Sequence, residues 1–375
     1  MTNIYSKKNK ILFITPSYKP AFNYGGTIIS VAALVESMTS YFDCVVYTSN
    51  ADGNKRLDVK SQEIVNGVEV HYFHSVIAGN IHFAPSLLWA LFKDRKSNIV
   101  HVHSWWNLVA ICSCLIALFK GNRLIVSPRG MLSPYSLRAK IFRNLFQKVL
   151  GNWILSKATI HATSEQEQMQ LQSLHKNWKV VCIPNILPLL PQRTVRSVNS
   201  DVFNLVFVAR IHPKKNLESI IKVLQYLPNI QFTIVGDGVQ EYIMFLKNLA
   251  VEYNCQSQIV WHGPEYDVNR KADLLSNASL FVLLSHDENF ANNVVEALMC
   301  NCPVLISSNV GVAPFVEAHK LGWIYNESDS NLVEVLKQIQ NDTSRREDIS
   351  SRARQIVIDT FLSKNTIDKY IALYE

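Results

Sequence analysis

The sequence predicts an α/β protein made of two doubly wound halves, each built on a mostly parallel sheet. Short apolar segments, typical of strands buried on both faces, alternate along the chain with polar loops and helical spacing. The 375 residues suffice for two domains of ordinary size. A polar stretch rich in proline, residues 186–201, separates the halves and is typical of a linker. We therefore expect a cleft between two α/β domains.

These features divide the chain into four segments. Residues 1–185 form the first domain, 186–201 the linker and 202–355 the second domain. The last helical pattern runs from about Ser344 to Tyr374. We expect its final part, residues 356–375, to pack back on the first domain.

Composition and charge limit the classes of partner. The chain is 48% hydrophobic and 18% charged, as in ordinary globular proteins. Its 37 basic residues exceed its 30 acidic residues, for a net charge of +7. This excess favours anionic substrates or an acidic membrane surface, and it is too small to indicate nucleic-acid binding.

The cysteines and the N-terminus predict a cytoplasmic protein. Seven cysteines at irregular spacing are typical of free thiols in a reducing compartment. A polar N-terminal lead passes directly into the apolar Ile11–Ile14 segment, without a signal peptide. The longest apolar run, Leu108 to Phe119, is too short to cross a bilayer and predicts a buried helix.

Two strand ends of the first half carry candidate site residues. Gly25 and Gly26 precede a helix, where paired glycines let backbone N–H groups approach a phosphate; a plain loop explains them equally well. His101 and His103 alternate with valine at the end of a strand. Without a third ligand nearby, packed histidines are a better interpretation than a metal pair.

A basic helical segment, Tyr135 to Ala158, mixes cations with large apolar residues. Such a helix can lie on an anionic bilayer. A solvated basic face above a core-facing apolar face is the favoured interpretation. Membrane contact is kept as the alternative.

The most informative stretch of the second half runs from Leu280 to Met299. An apolar strand is followed by a polar turn and, from about Asn292, by helical spacing. Glu288 lies in the turn and Glu296 about one turn into the helix, so the carboxylates are expected on the order of 10 Å apart. One would bind a sugar and the other a ribose; solvated acids at a helix start are an equally good explanation.

Other motifs exclude several chemistries. Gly236-Asp237-Gly238 lacks the third glycine of a dinucleotide fingerprint. There is no phosphate-cradling Gly-Lys-Ser/Thr loop and no Gly-x-Ser-x-Gly nucleophile elbow. Without Asp-x-Asp, a sugar-nucleotide site built on a divalent metal is not expected. Arg210 and Lys215 remain, two cations in one loop that can hold a diphosphate without metal; taken alone, they are read as surface charges.

In combination, these motifs resemble the GT-B glycosyltransferases of family 4. The resemblance covers nearly the whole chain. It rests on Gly25-Gly26, on Val208 to Asn216, on Gly236 to Gly238 and on the two glutamates spaced as Glu288 and Glu296. Members of this family have two Rossmann-like domains and are retaining enzymes that use nucleotide-sugar donors.

The resemblance implies a role for each matching residue. Arg210 and Lys215 would bind the donor diphosphate and stabilise the leaving nucleotide, while Glu288 would contact hydroxyls of the transferred sugar. Glu296 would bind the ribose. The other implied donor contacts are Gly25, Gly26, Gly236, His262, Gly263, Asn289, Phe290, Ala291 and Asn292.

The sequence departs from the family at two positions. Ala291 stands where many members have glycine, and its methyl group is expected to narrow the donor pocket. Arg129 stands where many members have a histidine that contacts the transferred sugar. We read Arg129 as a catalytic-site variant that donates hydrogen bonds to sugar or phosphate, with His103 partly replacing the imidazole. His103, Trp105 and Trp106 are the expected acceptor contacts.

The resemblance implies a retaining, metal-independent glycosyltransferase that needs no cofactor. It would move a hexose or N-acetylhexosamine from a UDP- or GDP-sugar to a saccharide or lipid-linked saccharide, in the synthesis of lipopolysaccharide O-antigen or exopolysaccharide. The expected location is the cytoplasm, with a peripheral place at the inner face of the membrane as the alternative. A nucleotide-sugar epimerase and a non-catalytic nucleotide-binding scaffold stay open. A dehydrogenase would need the missing glycine fingerprint.

Overall fold

The computed structural model describes residues 9–22, 25–53, 55–76, 82–137, 141–193, 202–326 and 331–375, without the side chains of residues 141 and 142. The chain divides into two compact units. Unit 1 comprises Met1–Pro188 and Ser363–Glu375, and unit 2 comprises Leu189–Leu362. Each unit is a doubly wound α/β structure, which confirms the predicted fold class.

Unit 1 is built on an eight-stranded sheet with the order β10-β9-β8-β7-β1-β2-β6-β5. All neighbours are parallel except the β5–β6 hairpin. The strands are β1 Lys10–Thr15, β2 Asp43–Ser49, β3 Ala51–Asp52, β4 Lys55–Arg56, β5 Gln62–Val65, β6 Val68–Phe73, β7 Ile99–His103, β8 Arg123–Ser127, β9 Thr159–Ala162 and β10 Lys179–Cys182; β3 and β4 form a separate short ribbon. The helices are α1 Gly26–Met38, α2 Pro85–Lys93, α3 Leu108–Phe119, α4 Pro134–Leu137, α5 Ile141–Phe146, α6 Asn152–Ser156 and α7 Glu165–Leu174.

The connections of unit 1 fix where its site lies. β1 pairs with β2 on one side and with β7 on the other, so the winding reverses between β1 and β7. α/β sheets bind ligands at the carboxyl ends of their strands, at such a reversal. Below this edge, β1 and β7 are buried on both faces, as their apolar runs predict.

Unit 2 repeats the plan with a parallel six-stranded sheet, β13-β12-β11-β14-β15-β16. Its winding reverses between β11 and β14. The strands are β11 Phe203–Val208, β12 Ile230–Val235, β13 Ile259–Gly263, β14 Leu280–Leu283, β15 Val304–Ser307 and β16 Gly322–Tyr325. The helices are α8 Leu217–Leu224, α9 Gln240–Glu252, α10 Val268–Ser276, α11 Asn292–Met299, α12 Ala313–Ala318, α13 Leu332–Asn341 and α14 Thr343–Phe361. The strand, turn and helix predicted between Leu280 and Met299 are β14 and α11.

The end of the chain differs from the expectation of one long helix. α14 stops at Phe361, and a separate helix, α15 Lys364–Tyr374, begins after the Ser363 hydroxyl caps the N–H of Thr366. α14 packs in unit 2 and α15 in unit 1, so the division falls at Leu362/Ser363 and not at 356, which lies inside α14. Tyr370 and Tyr374 of α15 are completely buried.

The basic segment predicted as helical consists of several pieces. α4, α5, a π-helical turn at Gln147–Gly151 and α6 succeed one another, and residues 138–140 lie outside the described part of the chain. Across the described ranges, no helix is both long and apolar enough to cross a bilayer. All seven cysteines are free thiols, and five of them are buried.

Candidate functional site

In unit 2, the loop after β11 carries the predicted cations. It tightens into a 3-10 turn at Pro213–Lys215, and the chain leaves the turn at Asn216, whose φ of 53° is a left-handed conformation that asparagine tolerates well. The turn starts with a proline, which presets its φ. Two consecutive lysines, Lys214 and Lys215, are thus held at the carboxyl edge of the sheet.

Both lysines pair with carboxylates of the loop after β14. Lys215 Nζ lies 2.5 Å from Glu288 Oε1, and Lys214 Nζ lies 2.9 Å from Asp287 Oδ2. The backbone N–H of His286 donates to the carbonyl of Lys214 at 2.9 Å, which holds the loops side by side. Sequence reasoning chose Lys215 and Glu288 but missed their direct contact and the parallel second pair.

Arg210 lies at the start of the same loop. It is exposed, and among the described residues its guanidinium has neither a hydrogen-bond nor an ion-pair partner. Burial lowers the pKa of His212, and the nearby charges of Arg210 and Lys215 lower it further. The loop therefore holds a concentrated positive charge, of which only part is neutralised by the ion pairs.

The loop that carries Glu288 is fixed by its backbone. The N–H of Glu288 donates to the carbonyl of Asn309 at 3.0 Å, and its own carbonyl accepts from Gly311 N–H at 2.9 Å. Asn293 Nδ2 donates to the carbonyl of Val208 at 3.0 Å and so ties α11 to the end of β11. The carboxylate is therefore anchored on a rigid backbone at the β11/β14 reversal.

The backbone conformation of Ala291 explains why many members of the family have glycine at this position. Its φ of 71° and ψ of 72° are left-handed, a conformation that strains any residue with a Cβ. Ala291 directly precedes α11, whose first turn has no acidic residue and no side-chain cap. Phe290 beside it is buried and packs edge-on against Phe361 with a centroid distance of 5.5 Å. Asn289 and Asn292 flank this pair.

The second glutamate of the motif is also ion-paired. Glu296 Oε1 lies 3.0 Å from Lys271 Nζ of α10, and Glu296 is only 6% exposed. It is therefore not the freely solvated acid of the alternative interpretation. Nothing in the spacing of α10 singled out Lys271, because the contact joins positions 25 residues apart.

The Gly236-Asp237-Gly238 segment owes its glycines to close backbone approach. A Cβ on Gly236 would lie 1.9 Å from the carbonyl oxygen of Ala209, and one on Gly238 would lie 2.1 Å from that of Ile211. The loops after β11 and β12 are joined here by a 2.7 Å hydrogen bond from Ile211 N–H to the Asp237 carbonyl. The glycines thus set the path of the Arg210 loop.

His262 and Gly263 end the neighbouring strand β13. Gly263 accepts a 2.8 Å hydrogen bond from the N–H of Gly236, with a φ of 80°. His262 is exposed and lines a cavity of about 460 Å³ between the sheet and α10, together with Thr233 and Glu265. Arg210, Lys215 and Glu288 do not line this cavity.

In unit 1, Arg129 follows β8 with a left-handed φ of 57°. Its guanidinium donates to Ser30 Oγ at 3.3 Å, to Asn185 Oδ1, and to His103 Nδ1 at 3.3 Å. Burial lowers the pKa of Arg129, although guanidinium stays protonated in proteins. The sequence analysis expected His103 to act beside Arg129, and the structure places the two side chains in contact.

A chain of buried hydrogen bonds lies next to Arg129. It runs from Tyr374 Oη to His101 Nδ1 at 2.8 Å, from His101 Nε2 to Ser127 Oγ at 2.7 Å, and from Ser127 Oγ to His161 Nδ1 at 2.7 Å. His161 Nε2 ends it on the carbonyl of Ile183 at 2.9 Å. Burial lowers the pKa of His161 to about 3 and that of His101 well below the usual value, so both rings are neutral.

The end of this chain fixes the direction of every bond in it. A carbonyl only accepts, so His161 Nε2 carries the proton and its Nδ1 accepts from Ser127. Ser127 must then accept from His101 Nε2, which leaves His101 Nδ1 to accept from Tyr374. His101, one of the two histidines of the sequence analysis, is thus linked through Ser127 to a third histidine, His161. No group of three His, Cys, Asp or Glu in the described ranges is arranged to hold a metal.

The remaining candidates of unit 1 lie around the same edge. Gly25 has a φ of 76° that requires glycine, and it stands exposed before α1 with Gly26. Trp105 is fully buried and donates from Nε1 to Gln147 Oε1 at 2.8 Å, so it belongs to the core. Trp106 is half-buried and donates to the carbonyl of Met131 at 2.6 Å.

Family comparisons agree with this arrangement. Residues 24–189 match the family described as Glycosyltransferase Family 4, and residues 192–356 match the family described as Glycosyl transferases group 1. Both units thus match families of glycosyltransferases. The chain belongs to family 4 of these enzymes, with the two matches in the two units.

Individual relatives are distant. The chain is 24% identical to N-acetyl-alpha-D-glucosaminyl L-malate synthase of Bacillus anthracis, over 45% of this chain and 44% of that protein. It is 22% identical to an uncharacterized glycosyltransferase of Methanocaldococcus jannaschii, over 96% and 97%. It is 23% identical to a capsular polysaccharide biosynthesis glycosyltransferase of Staphylococcus aureus, over 47% and 46%. The first and third matches therefore span less than half of those proteins.

Solved structures share the fold at low identity. Sucrose-phosphate synthase of Thermosynechococcus elongatus superposes with a TM-score of 0.81 at 18% identity, over 98% of both chains. The Anabaena protein HepE in complex with UDP and glucose gives a TM-score of 0.75 at 20% identity, over 98% of this chain and 99% of that one. These likenesses establish the GT-B fold.

Proposed function

We propose that the chain is a retaining, metal-independent glycosyltransferase of surface-polysaccharide synthesis. It moves a hexose or N-acetylhexosamine from a UDP- or GDP-sugar to a saccharide or lipid-linked saccharide. The observation that carries the proposal is the loop after β11, where Lys215 pairs with Glu288 at the reversal of the unit 2 sheet and the exposed Arg210 lies in the same loop. Cations beside a carboxylate at such an edge suit a ligand that joins a diphosphate to a sugar.

The ion pair between Lys215 and Glu288 defines how the donor enters. The Lys215 and Glu288 side chains are mostly buried, at 14% and 15% exposure. In the free protein each group therefore occupies the binding capacity of the other, and a donor must separate them. A diphosphate takes Lys215 from Glu288 and leaves the carboxylate to accept from sugar hydroxyls. The diphosphate replaces Glu288 as the counter-charge of Lys215, and hydrogen bonds from the sugar replace the contact of Glu288 with Lys215.

Electrostatic stabilisation of the leaving group then supplies the chemistry. Negative charge develops on the diphosphate as the bond to the sugar breaks, and Arg210 and Lys215 stabilise it. The departing diphosphate accepts the proton of the acceptor hydroxyl on the face where the new bond forms, so the configuration is retained. Glu296, held by Lys271, accepts hydrogen bonds from the ribose.

Names of the relatives support the substrate classes. The Anabaena protein is described with UDP and glucose, and the Staphylococcus aureus relative is named for capsular polysaccharide. The Bacillus anthracis relative is named for transfer of an N-acetylglucosaminyl group. These names point to a nucleotide-sugar donor and a saccharide product.

Calorimetric titration of UDP, GDP and ADP in the presence of EDTA tests the proposal. We expect one nucleoside diphosphate to bind in chelator and Arg210→Ala to weaken it at least tenfold. NAD serves as the control ligand. Binding of NAD alone, or binding that needs added Mg²⁺, would contradict the proposal.

A donor turnover assay separates transfer from epimerisation. A transferase releases little nucleoside diphosphate until an acceptor is added. An epimerase converts the sugar of its donor with no acceptor present. Rapid conversion of UDP-N-acetylglucosamine to a second nucleotide sugar would replace the transferase proposal.

We also propose a peripheral contact with anionic membranes through the basic segment of unit 1. Among its large apolar residues, Ile154 and Leu155 are buried, whereas Leu145, Val149 and Trp153 are exposed by 61%, 69% and 51%. The exposed three recur every fourth residue and form one stripe. Arg143 and Lys148 supply basic charge beside it.

Sedimentation with phosphatidylglycerol vesicles at low salt tests this contact. The wild-type chain should pellet with the vesicles, and the double variant Leu145→Asp/Val149→Asp should not, because it places charge on the apolar stripe. Neutral phosphatidylcholine vesicles are the control. Equal pelleting of wild type and variant would contradict the contact.

A further inference from the structure

We propose that unit 1 has an anion-binding subsite where Arg129 and His103 meet α1, and that this subsite takes a carboxylate or phosphate of the acceptor. The acceptor is then an acidic saccharide, such as one bearing a uronic acid or a phosphate. The assignment of this anion to a sugar acceptor rests on the function proposed above. The anion site itself rests on unit 1 alone.

The first observation is a half-buried cation, with its Nε atom fully buried, whose hydrogen bonds all go to neutral groups. Arg129 donates to a hydroxyl, an amide oxygen and a neutral imidazole. Glu167 favours the charged guanidinium through its field, but its oxygens accept from Gly130 N–H and Thr163 N–H, each at 2.7 Å. A buried charge without a contacting counter-charge is costly, and an anionic ligand removes that cost.

The second observation is a pair of unsatisfied N–H donors on the same two side chains. Arg129 Nε and His103 Nε2 are buried and have no hydrogen-bond partner among the described residues. His103 is completely buried, and burial holds its pKa well below the usual value, so the ring is neutral. Because Nδ1 accepts from Arg129, the single ring proton lies on Nε2. Both orphan atoms are therefore donors.

The third observation is their place in the fold. His103 ends β7 and Arg129 follows β8, beside the reversal between β1 and β7 where α/β sheets bind ligands. Ser30, which accepts from Arg129, lies in α1. α1 has 13 residues, no side-chain cap and no acidic residue in its first turn, so its dipole favours a negative charge there. A Cβ built on Gly25 meets no atom within 4 Å, which indicates open space before the helix.

The chemistry of these groups selects an anion. Guanidinium, an imidazole N–H and a helix start all donate or carry positive charge, so they repel a metal ion. A neutral hydroxyl satisfies one donor and leaves the charge of Arg129 uncompensated. A carboxylate or phosphate accepts from several N–H groups at once, in the charge-assisted hydrogen bonds that are roughly twice as strong as neutral ones.

Equilibrium binding to the full chain tests the proposal with two probes that differ at one carbon. Methyl β-D-glucuronide carries a carboxylate where methyl β-D-glucoside carries a hydroxymethyl group. We expect the glucuronide to bind at least about tenfold more tightly, by calorimetry or ligand-observed NMR, and inorganic phosphate to compete with it. Arg129→Gln and His103→Phe should each remove the preference.

Several outcomes would overturn the proposal. Equal binding of the two glycosides, or a preference that survives Arg129→Gln, removes the subsite. Saturating UDP that abolishes the binding would assign the anion to the donor diphosphate instead of the acceptor. If Arg129→Gln fails to fold, His103→Phe decides, because its ring keeps the stacking on Phe13. If none of UDP, GDP and ADP binds while the anion preference is intact, the transferase function is refuted and the subsite stands.

Discussion

The carboxyl edges of the two sheets use polar side chains in opposite ways. In unit 2, three lysines pair with three carboxylates: Lys214 with Asp287, Lys215 with Glu288 and Lys271 with Glu296. In unit 1, neutral imidazoles, a serine and a tyrosine form a chain with one direction, beside a single arginine. A lysine or carboxylate of an ion pair can exchange its partner for a charged ligand. In the neutral chain each group donates to the next, so no member can change its partner without breaking a buried hydrogen bond. Under the proposed function, the ion pairs of unit 2 exchange partners with the donor, while the neutral chain of unit 1 holds its sheet edge rigid.

The largest effect is expected from Lys215→Ala, which removes a cation that stabilises the leaving diphosphate. Turnover should fall about 10²- to 10³-fold, the loss typical of one preorganised electrostatic contact. The assay is release of nucleoside diphosphate in the presence of acceptor. Lys214→Ala is the matched control from the same turn and should lose only a few-fold. Near-normal turnover of Lys215→Ala would refute the assignment.

Removing the Tyr374 hydroxyl, the first donor of the hydrogen-bond chain in unit 1, should lower the free energy of unfolding. Tyr374→Phe keeps the ring contacts with Phe13 and Phe42 but leaves His101 Nδ1 buried without a donor. We expect the free energy of unfolding to fall by about 1–3 kcal/mol, the cost of an unsatisfied buried group. Urea unfolding followed by circular dichroism measures it. The exposed Tyr41→Phe should change stability within about 0.5 kcal/mol; equal effects would argue against the chain.

Lys271→Met tests whether a paired lysine serves only to hold its carboxylate. The substitution keeps the length of the side chain and leaves Glu296 without its counter-charge. The KM for the donor should rise about tenfold with a smaller change in kcat, since ribose contacts act equally in ground and transition states. Lys337→Met removes an exposed ion pair with Glu334 and should change neither value. A loss confined to kcat would place Lys271 in the chemistry instead.

The neutrality of His161 predicts the smallest effect, a pH dependence of stability. Its folded pKa of about 3 lies below the ordinary value of 6.5, because burial and Arg129 oppose its protonation while the Ile183 carbonyl favours it. At pH values between the two, His161 is protonated in the unfolded chain and neutral in the folded chain. His161 therefore contributes stability above pH 6.5 that is lost as the pH falls.

A slope comparison measures this contribution. From pH 6.5 to 5.5, the free energy of unfolding of the wild type should decrease more steeply than that of His161→Gln, by up to about 1.4 kcal/mol per pH unit. Comparing slopes cancels the cost of the substitution itself. Parallel slopes would mean that His161 is protonated in the folded chain.

Much of the fold could be predicted from the sequence because the central strands of both sheets are buried on both faces and are therefore largely apolar. Strands such as Leu280–Leu283 are short and wholly apolar, and the polar residues that follow them mark the ligand edge. Glu288, Glu296, Arg210 and Lys215 were selected as candidate site residues in this way. The break between α14 and α15 was missed, since no glycine or proline marks it; the helix-capping Ser363 was its only local signal.

The partners of these residues were not readable. Lys271 contacts Glu296, and Tyr374 contacts His101, across 25 and 273 residues of sequence. Such contacts depend on how helices pack over the sheets, and a spacing rule sees only neighbours in the chain. Arg129 shows the same limit: its position was read from the strand end, whereas its neutral partners Ser30 and Asn185 come from α1 and from a segment 56 residues away.

The membership of α15 in unit 1 has a consequence for synthesis of the protein. The ribosome completes the sheet of unit 1 long before it reaches Tyr374, and the whole of unit 2 is made in between. His101 then waits without its hydrogen-bond donor while residues 189–362 emerge. Domains usually fold in the order in which they are made. Here the first unit to begin folding is the last to be finished, because Tyr374 can reach His101 only after unit 2 has been made.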